Sequence, residues 1–147
     1  MNAAARFLFA AWPFPGHLFP QIALAQELRR RGHECGFYTG RRLAPVVEAE
    51  GFRCFVFDHL DEDALDALMA SRPAEPWRAA SVPALARLLR RWLLDTLPQQ
   101  LQDLEAIVEA WAPHVVGTDP TLWAPVVVLQ DRRIADVAVC SFMPACR

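Results

Sequence analysis

The sequence lacks lysine entirely, so all 15 of its basic residues are arginine. This absence excludes Schiff-base chemistry, lysine nucleophiles and the lysine of a P-loop phosphate site. The sequence also lacks an apolar run of about eighteen residues, the length that a membrane-spanning helix needs. Its first residues do not have the pattern of a secretory signal peptide. We therefore expect a cytoplasmic protein with no membrane span.

The sequence also has only four cysteines and little net charge. No two cysteines have the paired spacing of zinc or redox motifs, so we expect buried free thiols in a reducing cytoplasm and neither a metal nor another cofactor. The cysteines are Cys35, Cys54, Cys140 and Cys146. The 17 acidic and 15 basic residues nearly cancel, giving a net charge of −2. This balance argues against binding to nucleic acid or to an anionic membrane.

The chain does have a regular alternation of strand and helix patterns over 147 residues, 54% of them hydrophobic. Its length predicts one domain. Buried strands are predicted at 6–11, 34–39, 53–57, 114–118 and 136–141. Strands that alternate with helices form parallel sheets with right-handed crossovers. We therefore predict an α/β fold, a doubly wound, Rossmann-like parallel sheet in the order 3-2-1-4-5 with helices on both faces.

The predicted helices follow the apolar spacing at 21–31, 43–50, 84–111 and 121–133. The prolines and the glycine of residues 12–20 predict an irregular loop before the first helix. Gly32 and Gly51 suit the left-handed position that ends a helix. Pro98 should kink or restart the third helix, with Thr96 and Gln99 available as a capping box. Residues 58–83, rich in acids and proline, predict an irregular insertion with a short helix near 64–69, either a surface loop or a segment that covers a substrate.

Two chemically useful residues follow strands that the predicted order makes neighbours. His17 lies in the loop after strand 1, and Asp119 lies directly after strand 4. The carboxyl ends of these strands meet where the strand order reverses, which is where open α/β sheets bind ligands. A histidine oriented by a carboxylate there can act as a general base. Alternatively, His17 is an ordinary surface histidine and Asp119 is the N-cap of the fourth helix.

The other motifs that could carry chemistry are weaker. Gly16 stands alone after strand 1, so a dinucleotide fingerprint is absent, and no Gly-x-Ser-x-Gly esterase motif occurs. His59 lies among acidic residues, where we expect it to be solvated, without the ligand spacing of a metal site. His114 precedes strand 4 and has no obvious partner in the sequence.

Two segments resemble a known family. Residues 14–20, FPGHLFP, followed by Leu24, Leu28 and Arg31-Gly32-His33, are similar to the opening of GT-B nucleotide-sugar-dependent glycosyltransferases, the group that decorates natural products. Residues 113–125, PHVVGTDPTLWAP, look like that family's fourth strand and the acidic residue after it. The two segments occur in the order and at the sheet positions that the family uses. The whole chain then resembles an N-terminal, acceptor-binding domain, one half of a GT-B architecture.

The resemblance implies a hexosyltransferase-type reaction that inverts the sugar, with a nucleotide sugar as co-substrate and no metal. His17 would be the catalytic base that deprotonates an acceptor hydroxyl, and Asp119 its charge-stabilising partner. An apolar acceptor is expected, because several residues near the carboxyl edge are aromatic or apolar, although each could equally be core. The acceptor-binding candidates are Trp12, Phe14, Gly16, Leu18, Trp77, Trp123 and Phe142.

The resemblance covers nearly all of residues 1–147 but only about a third of such an enzyme. We expect one domain that is incomplete at its C-terminal end, with the donor-binding domain absent. The nucleotide sugar would then bind through a missing C-terminal domain or a partner chain, and the isolated chain would be inactive and could form a homodimer. Two alternatives remain open: a non-catalytic α/β module that binds a small molecule or a partner, and one subunit of a split glycosyltransferase.

Overall fold

The computed structural model describes residues 4–70, 82–129 and 134–138. Five parallel strands form one sheet in the order β3-β2-β1-β4-β5, as the sequence predicts. The strands are β1 (Arg6–Ala10), β2 (Glu34–Thr39), β3 (Arg53–Val56), β4 (Val115–Thr118) and β5 (Ala135–Ala138). β1 is central and pairs in parallel with both β2 and β4. The strand order therefore reverses between β1 and β4, where the carboxyl ends of the two strands lie side by side.

Six α-helices and one π-helical turn connect the described strands. In chain order they are α1 (Pro15–Arg30), α2 (Ala44–Ala49), α3 (Glu62–Ala70), α4 (Val82–Leu89), the π-helical turn (Arg90–Leu94), α5 (Leu97–Trp111) and α6 (Ala124–Leu129). Gly32, two residues after the last residue of α1, has φ +86°, and Gly51, two residues after the last residue of α2, has φ +76°. Both glycines thus adopt the left-handed conformation that the sequence predicts for helix ends.

The first helix begins earlier than predicted, and the irregular loop expected over residues 12–20 is wrong in its second half. α1 starts at Pro15 and continues through Pro20. Pro15 is tolerated because the amide of the first helical residue has no helical partner. Pro20 costs the hydrogen bond to the carbonyl four residues earlier, yet the helix continues across it. The early start brings His17 into the first turn of a helix.

The long predicted helix 84–111 is divided. α4 passes into the π-helical turn, where the Asp95 amide donates to the Arg90 carbonyl at 3.0 Å, and α5 restarts at Leu97 next to Pro98. The predicted restart is confirmed, but the capping box is wrong. The Thr96 hydroxyl donates to the Trp92 carbonyl at 2.6 Å and accepts from no backbone amide of α5.

The remaining boundaries differ in detail. Within the predicted insertion 58–83, α3 extends the expected short helix at both ends, and residues 71–81 lie outside the described residues. α6 begins at Ala124 rather than at Thr121, and the predicted ends of the last helix and of β5 likewise lie outside them. Trp77 and Phe142 lie outside the described residues too. Among the helices of the described part, none is both long and apolar enough to cross a bilayer.

The sheet has a hydrophobic core on each face, as expected for a doubly wound fold. On one face, β1 and β2 pack with α1 and α2 through a cluster that contains Phe9, Leu18, Ile22, Phe37 and Val47. On the other face, the sheet packs against α5 through a larger cluster that contains Leu8, Trp12, Tyr38, Leu104 and Trp111. Alternate residues of β1 therefore point into different cores, which is why its sequence is apolar after Arg6.

Candidate active site

The two loops that the sequence singles out do meet at the strand-order reversal. β1 and β4 pair in register up to Ala10 and Thr118, and the Asp119 amide donates to the Ala10 carbonyl at 3.0 Å. This bond extends the β1–β4 pairing one residue past β4 and fixes Asp119 beside the segment that leads into α1. Residues 17 and 119 are 102 positions apart in sequence, and the sheet brings their side chains together.

His17 and Asp119 form a hydrogen-bonded pair through Nδ1 of the imidazole and Oδ2 of the carboxylate. The Asp119 side chain is 1% exposed, whereas that of His17 is 30% exposed. Because an ionised carboxylate can only accept, Nδ1 carries the proton and donates. The other ring nitrogen, Nε2, is then left with a lone pair that can accept a proton. The predicted proximity of His17 and Asp119 is confirmed, and their catalytic roles stay predictions.

The second oxygen of Asp119 organises the turn that follows β4. Oδ1 accepts from the Thr121 amide at 2.9 Å and from the Thr121 hydroxyl at 2.6 Å. The alternative role as N-cap of the following helix is wrong, because α6 begins only at Ala124. Burial of Asp119 favours its neutral form, but the hydrogen bonds from His17 and Thr121 outweigh burial and lower the pKa of this carboxyl below its usual value of 3.8. The carboxylate is therefore ionised at neutral pH.

Aromatic rings lie beside the His17 imidazole. The ring centroids of Phe14 and His17 are 5.6 Å apart, and those of Phe14 and Trp92 are 6.1 Å apart. Trp92 in turn lies 5.6 Å from Trp12, which is fully buried. An apolar wall thus runs from His17 into the larger core. The sequence did not single out Trp92, because its place in a helical pattern indicates ordinary core packing.

The predicted acceptor-binding residues occupy different positions. Phe14 contacts His17, and Gly16 precedes His17 in the first turn of α1. Trp123 is 44% exposed and donates from its indole to the Pro120 carbonyl at 2.9 Å. Trp12 is fully buried in the larger cluster, and Leu18 is fully buried in the smaller cluster on the opposite face.

A second histidine–aspartate pair lies outside this site. The His59 side chain is 50% exposed, as expected, but it also has a partner that the sequence does not indicate: His59 Nδ1 and Asp103 Oδ1 are 2.6 Å apart. Asp103 also accepts from the Tyr38 hydroxyl at 2.8 Å and from two loop amides, those of Asp58 at 3.1 Å and His59 at 3.0 Å. Possible metal-ligand atoms of Asp58, His59 and Asp103 lie within 4.8 Å of one another. Because Asp103 already accepts four hydrogen bonds, we interpret the group as a link between the loop after β3 and α5.

The other two histidines, His33 and His114, each accept a hydrogen bond from a backbone amide. The sequence indicates no partner for His114, but its Nδ1 accepts from the Arg6 amide at 3.0 Å.

Both described cysteines are free thiols, as expected. Burial raises the pKa of the Cys35 thiol to about 11 and that of Cys54 to about 12. Neither thiol is therefore a nucleophile at neutral pH.

The fold is one half of the GT-B glycosyltransferase architecture. The glycosyltransferase of kitacinnamycin has a TM-score of 0.65 at 20% identity over 92% of this chain and 30% of its own. SsfS6 of Streptomyces sp. SF2575, solved with thymidine diphosphate, has a TM-score of 0.63 at 23% identity over 85% of this chain and 35% of its own. Identities this low show the fold alone.

Sequence similarity then points to particular relatives. 4'-Demethylrebeccamycin synthase of Lentzea aerocolonigenes is 32% identical over 122 residues, and demethyllactenocin mycarosyltransferase of Streptomyces fradiae is 30% identical over 120 residues. Each alignment covers 81% of this chain, which spans 28% and 25% of the two relatives' lengths. No protein-family model matches the chain. The chain is therefore related to one part of the glycosyltransferases of antibiotic biosynthesis.

Proposed function

We propose that this chain is the acceptor-binding part of an inverting glycosyltransferase, in which His17 is the general base and Asp119 its partner. The observation that carries the proposal is the His17–Asp119 hydrogen bond at the strand-order reversal, with a buried carboxylate and a partly exposed imidazole. A base must be anchored on one side and open on the other, and this pair has that arrangement. The similarity to antibiotic glycosyltransferases over 81% of the chain supports the same reaction class.

In the proposed reaction, Nε2 of His17 takes the proton of an acceptor hydroxyl while the hydroxyl oxygen attacks the anomeric carbon of the sugar. The bond from that carbon to the nucleotide's phosphate oxygen breaks, and the electron pair leaves with the nucleoside diphosphate. Attack from the face opposite the leaving group inverts the anomeric carbon. The ionised Asp119 stabilises the imidazolium that forms and keeps the proton of the neutral ring on Nδ1. No metal ion or other cofactor is required in this scheme.

The proposed acceptor is a small, largely apolar molecule that carries a hydroxyl. Support comes from the ring of Phe14 against His17 and from the exposed Trp123 beyond Asp119. Gly16 would leave space beside the imidazole because it has no side chain. Trp12 and Leu18 are fully buried, so they would support the site by packing beneath its surface and would not contact the acceptor directly. Trp77 and Phe142 remain proposed contacts.

The proposed donor is a nucleotide sugar of the hexose type. It would bind to another part of the enzyme or to a partner chain, because this chain spans only about a quarter of its sequence relatives. The thymidine diphosphate in the SsfS6 structure is consistent with a nucleotide sugar as donor. We expect the complete enzyme to act in the cytoplasm.

The test is His17→Ala in the enzyme that combines this chain with a donor-binding half. Loss of the base should lower kcat by about 10²–10⁴ while leaving the affinity for the nucleotide unchanged. His33→Ala is the matched control, because His33 accepts from the Ala5 amide at the opposite end of the sheet and should retain turnover. Full turnover by His17→Ala, or equal losses in the two variants, would contradict the role of His17. A non-catalytic binding module would show no transfer in any variant.

A further inference from the structure

The short segment between β1 and α1 links the sheet to the helix that carries His17. Pairing with β2 extends one residue past β1, because the Ala11 amide donates to the Tyr38 carbonyl at 3.0 Å. α1 then begins at Pro15 and holds His17 in its first turn. The position of the imidazole relative to the sheet therefore depends on residues 12–14.

Among the described residues, a single hydrogen bond from another segment reaches the backbone of residues 12–14. Nη2 of Arg42 donates to the Pro13 carbonyl at 3.0 Å. The amide of the same peptide unit belongs to Phe14, and it donates to the Trp12 carbonyl at 2.7 Å, within the segment itself. Arg42 thus connects the Pro13–Phe14 peptide to the rest of the molecule.

The orientation of this peptide sets the start of α1. Phe14 is extended, with φ −118° and ψ 133°, and its carbonyl accepts from the amides of His17 at 2.9 Å and Leu18 at 3.0 Å. The Phe14 ring also lies against the imidazole, with 5.6 Å between the ring centroids. A rotation of the Pro13–Phe14 peptide would therefore move both the first turn of the helix and the ring beside His17.

Arg42 is itself held by two acidic residues of α3. Its Nη1 lies 3.4 Å from each carboxylate oxygen of Asp66, and its amide donates to Oε1 of Glu62 at 3.4 Å. Glu62 is only 8% exposed. Gly40 allows this close approach, since a Cβ there would overlap the Glu62 carboxylate and lie 2.7 Å from Cβ of Pro13. The turn after β2, the helix α3 and the segment before α1 therefore meet at one place.

We propose that Arg42 is a positioning residue for His17, because it holds the peptide on which the first turn of α1 and the Phe14 ring depend. Its side chain bonds to the Pro13 carbonyl and acts on the imidazole only through that segment. An arginine suits this role, since its planar group can donate to Asp66 and to the carbonyl at the same time. The inference rests on the proposed function, because it assumes that the position of the imidazole governs transfer.

The first test examines this chain and its variants by NMR, at a temperature well below the Tm of each. In Arg42→Ala, the nuclear Overhauser effects between the Phe14 and His17 rings should weaken, because the peptide that orients Phe14 is released. Arg42→Lys should retain part of this signal, since an ammonium group can reach the carbonyl but cannot bond both acceptors in the same geometry. Arg41→Ala is the matched control. The Arg41 side chain is 68% exposed and lies 3.8 Å from a carboxylate of α3, so its loss should leave the ring contact unchanged.

The second test measures turnover in the enzyme that combines this chain with a donor-binding half. Arg42→Ala should lower kcat roughly three- to tenfold, about the effect of losing one hydrogen bond that holds the reacting geometry. The KM for the nucleotide sugar should stay unchanged. Arg42→Lys should recover part of the loss, and Arg41→Ala should retain full turnover. A merely structural role of Arg42 would lower the Tm without changing the ring contact or kcat.

The two tests separate this inference from the proposed function. An unchanged contact between the Phe14 and His17 rings in Arg42→Ala, or an equal loss of that contact in Arg41→Ala, would overturn the positioning role whatever the transfer assay shows. Full turnover by Arg42→Ala would also overturn it in an enzyme that His17→Ala inactivates. A weakened ring contact together with full turnover by His17→Ala would instead contradict the proposed function and leave the effect of Arg42 on Phe14 standing.

Discussion

At the scale of single residues, Asp119 performs two tasks with two different oxygen atoms. Oδ2 accepts from His17, and Oδ1 accepts from the amide and hydroxyl of Thr121. The low pKa of Asp119 has a consequence for stability. A carboxyl whose folded pKa is depressed stabilises the fold above its unfolded pKa and loses that contribution as the pH falls through the folded value. The contribution of Asp119 is therefore present at neutral pH and declines as the pH falls from 3.8 through the lower folded pKa.

Asp119→Asn separates the two tasks. The amide oxygen can still accept from Thr121, so the turn should persist, while the charge proposed to stabilise the imidazolium of His17 is removed. We expect turnover of the complete enzyme to fall by about 10² or more. The difference in unfolding free energy from the native protein should shrink as the pH falls below 3.8. Thr121→Val is the control: it should lose about 1 kcal/mol of stability and keep its turnover. Unchanged turnover in Asp119→Asn would contradict the pairing role.

The contribution of His59 to stability should change with pH in the opposite direction to that of Asp119. The hydrogen bond to Asp103 raises the pKa of His59 above 6.5. Desolvation acts against this shift, and the charges of Asp103 and Asp58 add to it. A raised folded pKa stabilises the fold fully below the unfolded value and loses that effect as the pH rises through the folded value. We expect His59→Gln to lower the Tm in mildly acidic buffer and to leave it nearly unchanged in alkaline buffer. Thermal unfolding at both pH values measures this, and an equal loss at both would disprove the charged pair.

These two pairs also show how much of the site a sequence can predict. His17 and Asp119 follow adjacent parallel strands, so strand order alone brings them together. Asp103 lies within α5, and its contact with His59 depends on how that helix packs on the sheet. Trp92, which contacts Phe14 beside His17, lies in a π-helical turn that no apolar spacing reveals. Residues placed by strand topology were predictable, and those placed by helix docking were not.

At the scale of whole elements, the strands were predicted well and the start of α1 was not. Continuous apolar runs identify buried parallel strands, and turn-forming residues bound them. Proline does not predict one kind of structure, because it disrupts the interior of a helix but is favourable at the first position of a helix. The prolines therefore predict a loop over residues 12–20, although Pro15 starts a helix that contains residues 15–20.

The two prolines of α1 give a matched pair of variants. Pro20→Ala restores an amide that can donate to the Gly16 carbonyl, and Pro20 is exposed, so no packing is lost. Replacing proline also gives the unfolded chain more entropy, which offsets part of this benefit. We therefore expect the free energy of unfolding to increase by about 1 kcal/mol. Pro15→Ala should be neutral or slightly destabilising, because Pro15 is at the first helical position. Urea unfolding of both variants checks this, and a loss of stability in Pro20→Ala would show that the proline is required there.

At the scale of the whole molecule, apolar side chains remain exposed around the site. Phe19 is 51% exposed two residues after His17, and Trp123 and Val127 are 44% and 48% exposed in the segment that follows Asp119. Phe19 follows His17 on α1, which packs on the face of the smaller cluster, and Val127 lies on α6, which packs on the face of the larger cluster. His17 and Asp119 are hydrogen-bonded at the carboxyl edge of the sheet, so Phe19 and Trp123 follow residues of that edge. Exposed apolar groups near one edge are typical of a surface that another protein covers.

We therefore expect the isolated chain to self-associate through this edge and to show little or no hydrolysis of any nucleotide sugar. Light scattering should give an apparent mass that rises with concentration. The double variant Phe19→Ser, Val127→Ser should remain monomeric, because it removes apolar area that association would otherwise bury. Val82→Ser is the matched control: Val82 is 81% exposed but lies on α4, so its loss should leave association unchanged. A native chain that stays monomeric across the series would show that this edge does not drive association. If that monomer also hydrolysed a nucleotide sugar unaided, the proposed assignment of donor binding to another part of the enzyme would be wrong.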